Sequence, residues 1–156
     1  MHNKFIPAIL FVFFAVVCTM HLYANDDKAS KINGVWLTGS GKARVKVVLN
    51  EKTGKYEGRI VWLREPNDEA GNPKVDKNNP EEGLKKRPLL GLKIIRDFDY
   101  KGNGLWENGK IYDPENGNDY SCTITLTNDN TLEVRGFIGV SVFGRTDVWT
   151  RQVKKD

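Results

Sequence analysis

The chain has 156 residues, 24 basic and 20 acidic side chains, a net charge of +4, and only two histidines and two cysteines. That length suits one domain around one core. The mild charge, with Lys and Arg interspersed among Asp and Glu, gives no footprint for nucleic acid.

Residues 1–24 read as a signal peptide, with Lys4 before an apolar run from Phe5 to Val17 that is short for a membrane span. Cleavage is expected after Ala24, leaving an exported protein, periplasmic or secreted, with no transmembrane span. Bulky Val17 argues against lipidation of Cys18. His2, His21 and Cys18 leave with the leader, so no histidine remains and Cys122 is the last cysteine. A Ser-His-Asp or Cys-His site cannot be built from such a chain, nor can an intramolecular disulfide, and zinc or copper would lack their usual ligands. No catalytic residue, metal or cofactor is expected.

Residues 25–33 read as a polar, disordered lead, and 34–153 as a single β domain. Gly34 to Thr38 makes a first strand. Ala43, Val45, Val47 and Leu49 alternate with polar neighbours in a second, and Asn50 to Gly54 turns the chain into a third, Lys55 to Arg64. Glu65 to Lys86 then breaks the rhythm with three prolines, many Asn and Asp, and almost no apolar residues. It reads as a long solvated loop, and its acids lack calcium-loop spacing.

A fourth strand is expected to end near Phe98, and a turn at Lys101 to Gly104 leads to a fifth, Leu105 to Tyr112. Asp113-Pro114-Glu115-Asn116-Gly117 has the chemistry of a bulged hairpin turn. Beyond it Tyr120, Cys122, Ile124 and Leu126 alternate with hydroxylated residues, which places Cys122 inside as a small hydrophobe. Leu132, Val134, Gly136 and Ile138 share one face of the next strand, and Arg145 to Val153 forms the last.

About eight short strands with hairpin-length connections and no helix predict an all-β, antiparallel up-and-down meander closing into a barrel. Trp36 on the first strand and Arg151 on the last are placed to meet where the barrel closes, as a structural cation–π pair.

The succession Gly34-x-Trp36, Asp76-x-x-Asn79-Pro80, Arg87-Pro88-Leu89-Leu90-Gly91-Leu92, Gly109-x-Ile111-Tyr112-Asp113-Pro114, Arg135-Gly136-Phe137 and Phe143-Gly144-Arg145-Thr146-x-x-Trp149-x-Arg151 resembles the exported bacterial family called domain of unknown function 2147. The resemblance covers nearly all of 34–153. It implies a lipocalin-like (calycin) barrel and brings no established activity. Some relatives carry cysteines in the middle loop, and Glu65 to Lys86 has none, which leaves a thiol-based role there without support.

Arg87, Tyr112, Asp113, Tyr120 and Arg145 are the candidate ligand-binding residues: arginines on barrel strands can present a planar fork to a carboxylate or phosphate, and the tyrosines and Asp113 bracket the central turn. Bland alternatives stand beside each, Asp113 as a turn residue and Arg145 as a surface partner of Asp147. Three functions follow. One is binding of a small amphipathic, acidic or lipid-like molecule in the barrel or at its mouth. Another is a ligand-free structural or protein-interaction domain of the cell envelope. The third is a hydrolase using carboxylates such as Asp113, Glu115 and Asp119.

Overall fold

The computed structural model describes residues 27–153 of the chain, so the expected leader lies outside the described residues. Eight strands run β1 Gly34–Leu37, β2 Ala43–Asn50, β3 Lys55–Leu63, β4 Lys93–Gly102, β5 Leu105–Asp113, β6 Asn118–Asn128, β7 Thr131–Phe137 and β8 Arg145–Gln152. Each pairs antiparallel with its neighbour in sequence, and β1 pairs with β8 to close the barrel. Closure leaves no unpaired sheet edge, so the backbone polar groups of every strand find partners without a second sheet.

Inward positions alternate as the sequence predicts in the middle of β2 and β6, where Val45, Val47, Cys122 and Ile124 are buried, whereas Leu49, expected on the same face, is exposed near the end of β2. Bulges interrupt the register, and two non-glycine residues inside strands, Asp97 and Asn108, take positive φ (63° and 62°). Such bulges tighten the coil of a sheet that must close on eight strands.

At closure Trp36 and Arg151 are directly opposite, and the Arg151 guanidinium carbon lies 4.1 Å from the Trp36 ring centroid. Arg151 also donates to the carbonyls of Asp129 (2.6 Å), Asn33 (3.1 Å) and Lys31. All three nitrogens of a fixed fork thus have a backbone acceptor, and its plane covers one ring face. Partial burial pushes the guanidinium pKa down, against the pull of Asp129.

The lead differs from expectation. Residues 27–30 form a helical turn, and Ile32 is fully buried as the lid of this end. Trp36 donates its indole N–H to Ile32 O at 2.8 Å, and the Tyr56 hydroxyl donates to Ala29 O at 2.9 Å. Two buried aromatics need acceptors that the strands cannot offer, and the lead supplies them.

Below this lid the barrel is solid. Trp106 meets Tyr56 edge-on at 5.9 Å and Tyr100 at 5.0 Å, and Phe98 is fully buried. The space over Gly109 on β5 is filled from the neighbouring strand β4: a Cβ on it would come within 2.1 Å of the Phe98 ring.

Candidate functional site

An up-and-down barrel gathers alternate connections at one end. Here residues 38–42, 64–92, 114–117 and 138–144 meet at the end opposite the Trp36–Arg151 closure. Loops over the end of a rigid barrel are where binding residues are most readily carried.

The longest of them is no solvated excursion. Two bridges, Asn67–Pro73 and Val75–Pro88, fold it on itself, and Asp76 at its centre is completely buried, with Asn79 nearly so. Asp76 Oδ1 accepts from the Tyr112 hydroxyl at 2.7 Å, while Oδ2 accepts from Asn79 Nδ2 at 2.8 Å and Arg87 Nε at 2.9 Å. A carboxylate can be held away from water only when donors and an opposite charge surround it, and this one has three donating side chains, one of them the Arg87 guanidinium. Burial first, and the hydrogen bond to Asp76 second, push the Tyr112 phenol above its ordinary pKa.

A second staple lies beside the first. Asn78 Nδ2 donates to the carbonyls of Pro114 (3.1 Å) and Glu115 (2.8 Å) in the turn between β5 and β6. Gly117 makes room for it: its φ of 75° suits a turn, and a Cβ there would lie 2.0 Å from Asn78 O. The loop is therefore docked onto the central hairpin at both a side chain and a backbone level.

Within the mouth lies an open cavity of about 580 Å³. Ile60, Ile94, Ile111, Val134 and Trp149 wall it, and Leu89 reaches in from the docked loop. Its rim carries Lys42, Asp113, Glu115, Tyr120, Arg145 and Asp147. Gly136 also faces it, and a Cβ there would meet Tyr120 Cβ at 3.5 Å and Ile111 Cγ2 at 3.6 Å, ordinary contacts that leave space for a side chain.

Tyr112, Asp113, Tyr120 and Arg145 are brought together at this mouth. Their freedom to act differs. The Asp113 carboxylate accepts from Glu115 N and Asn116 Nδ2, both at 2.9 Å, so it builds the turn. The Tyr112 hydroxyl is committed to Asp76. Tyr120 Oη accepts from Asn116 Nδ2 at 3.0 Å and keeps its own hydrogen to donate. Arg145 is exposed, and its guanidinium makes no hydrogen bond or ion pair with any described residue. Asp147, its expected partner, instead accepts from Trp149 Nε1 at 2.7 Å and Gly39 N at 3.2 Å.

Arg87 stands apart from the other four. It lines a separate cleft of about 750 Å³ under the loop, together with Arg59, Lys93 and Arg96, and its fork is occupied by Asp76 at 2.8 Å. Arg87 therefore lies outside the lining of the barrel mouth and is held in an ion pair with Asp76. Of the other carboxylates near the central turn, Glu115 pairs with Lys42 across the rim at 2.6 Å, and Asp119 pairs with Arg96 beside the outer cleft. Among the described residues, no three His, Cys, Asp or Glu side chains gather as they would around a metal ion. Cys122 is buried, and desolvation pushes its thiol up to about 12. So high a pKa leaves almost no thiolate at neutral pH.

Asp76 and Asn79 are the structural residues whose role the loop's composition concealed. Their signal was present in the sequence as an Asp and an Asn three apart, next to Pro80, within an otherwise unpatterned stretch.

The chain is similar in fold to a solved structure described as "Protein HP1028 from the human pathogen Helicobacter pylori belongs to the lipocalin family". The two share 20% sequence identity with a TM-score of 0.67, over 78% of this chain and 83% of that one. No curated protein matches the chain in sequence. Residues 34–151, from the first strand to the arginine that closes the barrel, match the model of the family described as "Uncharacterized protein conserved in bacteria (DUF2147)". This chain, an eight-stranded lipocalin-like barrel, belongs to that family.

Proposed function

We propose that this protein is an exported binding protein that holds a small amphipathic molecule, with an acidic group, in the open half of its barrel. The observation that carries this reading is the cavity of about 580 Å³, apolar in its wall and polar at its rim, with the unpaired guanidinium of Arg145 beside it. Small-molecule sites fall at roughly 300–1,000 Å³ and combine such a wall with a few placed polar groups. Apolar area moved from water onto Ile60, Ile94, Ile111 and Trp149 contributes roughly 25 cal/mol per Å². Arg145 supplies a fork for a carboxylate or phosphate, and the Tyr120 O–H a neutral donor.

The test is native mass spectrometry of the protein purified without detergent from an exporting host. A discrete bound mass is expected. It should disappear in Gly136→Leu, whose side chain enters the cavity, and weaken in Arg145→Ala. Circular dichroism checks that both variants remain folded. A protein that stays bare after incubation with envelope extract would refute the reading and favour a ligand-free barrel working through its surface.

A further inference from the structure

Between β7 and β8 the chain projects a finger, residues 138–144, whose large side chains turn outward. Ile138, Val140, Val142 and Phe143 are 74%, 59%, 76% and 83% exposed. Side chains of this size seldom cluster in water without a partner. Nor does the finger bend over the neighbouring cavity, although Gly136 and Arg145 at its base both line it.

Its shape is fixed from below. Arg135 donates through Nε to Ser141 O at 2.9 Å, through Nη2 to Val142 O at 3.1 Å, and through Nη1 to Thr146 Oγ1 at 2.9 Å. The 3-10 turn Ser141–Phe143 adds Phe143 N to Val140 O at 3.3 Å and Gly144 N to Ser141 O at 3.0 Å. The neck is narrow, since a Cβ on Gly144 would come within 2.7 Å of Gly136 O. The carbonyls of Val140, Ser141 and Val142 at the tip therefore each have a donor before any partner arrives.

We propose that this finger inserts into an anionic lipid surface and sets the mouth of the barrel on it. Two features favour lipid over other occupants. Satisfied carbonyls are what a backbone needs on leaving water for acyl chains, where an unpaired polar group costs several kcal/mol. Charge is complementary as well: no charged residue lies from Gly136 to Gly144, and Arg145 at the base of that stretch, whose guanidinium has no partner among the described residues, is placed to meet headgroup phosphates. Finger-to-finger pairing of two copies would bring four arginines together, which counts against a second copy as the occupant. The proposal extends the cavity reading by naming the source of the amphipathic molecule: it passes from the bilayer into the mouth.

Residues 1–24 contain an apolar run of their own, so the chain is tested from Asn25, which holds every strand of the closed barrel. Flotation with phosphatidylcholine vesicles, with and without phosphatidylglycerol, reads docking. Uptake of a pyrene-labelled fatty acid, presented in the vesicles or in water, reads the cavity. The parent is expected to float with the anionic vesicles. Val142→Ser with Phe143→Ser, both exposed and free of folding duties, should weaken this by about tenfold or more, and rising salt should weaken it further. Equal flotation of parent and variant, or none by either, overturns docking. So does a concentration-dependent dimer in vesicle-free solution that the double variant abolishes. Uptake from water without flotation leaves the cavity reading standing while docking fails, and flotation without uptake supports docking while the cavity reading fails.

Discussion

The two ends of this barrel solve the same packing problem in opposite ways. Cys122 on β6 sits opposite Gly109 of β5 on one side and Gly136 of β7 on the other. Strand tilt carries these two neighbours to different depths. At Gly109 the missing side chain is replaced by the Phe98 ring, which occupies the space where a Cβ would be. At Gly136 nothing replaces it, and the space belongs to the cavity. The same residue type thus makes a close-packed floor in one half and a hollow in the other, so a glycine in a barrel strand means little until the side chains beside it on neighbouring strands are known.

The closed end is where breaking this contrast has the largest effect. Trp36→Ala removes the platform of Arg151 and the indole that ties down Ile32, and Trp-to-Ala changes in cores cost about 3–5 kcal/mol. Urea unfolding should show the loss as a lower midpoint. Ligand binding at the mouth should survive wherever the variant remains folded, because Trp36 takes no part in lining it. Equal losses of stability and affinity would show that the two ends are not independent.

Asp76→Ala attacks the open end. Removing one partner of a buried ion pair costs about 3–5 kcal/mol, and the lower end applies because the Arg87 side chain keeps 36% of its surface in water. The effect should also be local. Amide hydrogen exchange is expected to rise over 64–92 and the turn at 114–117, while the strands around Trp36 stay protected. Uniform deprotection of the whole barrel would mean that the loop is part of the global folding unit.

Gly109→Ala against Gly136→Ala sharpens the comparison within one chemical change. The first places a Cβ 2.1 Å from the Phe98 ring, and overpacking of this kind costs about 1–3 kcal/mol. The second meets only ordinary contacts and should alter the urea midpoint little. Any effect should appear in ligand affinity instead.

The sequence made the barrel legible because its evidence is local: period-2 alternation, turn residues at hairpin spacing, and a tryptophan and an arginine at the two ends of the domain. The site was less legible because its contacts are not local. Asp76 is buried by Tyr112, 36 residues away, and its spacing to Asn79 and Pro80 sets it apart from Asp68 and Glu69, which remain exposed, without showing what would bury it. Arg87 follows from the same omission, since an arginine whose partner goes unseen looks free. Ile138 was expected inside with Leu132 and Val134, yet it is exposed, because β7 ends at Phe137 and the chain leaves the barrel wall as the finger. Alternation predicts burial only while a residue stays in the sheet.

The smallest expected effect concerns the boundary between the filled and hollow halves, and it is read by pH. Desolvation holds the Cys122 thiol at about 12 when folded, against an ordinary 9.0. A group whose pKa is raised by folding contributes stability in full below its unfolded value and loses it as pH rises toward the folded one. From pH 9 upward, each unit should therefore remove about 1.4 kcal/mol through this one thiol. Tyr112, also raised from 10.0, adds to the loss at higher pH with the same sign. Unfolding free energies from urea titrations at about pH 8 and about pH 10 should fall by roughly that amount for the parent, and by clearly less for Cys122→Ala. An equal fall in both proteins would mean that water reaches Cys122, and that the cavity extends past Gly136 into the half of the barrel that Phe98 fills.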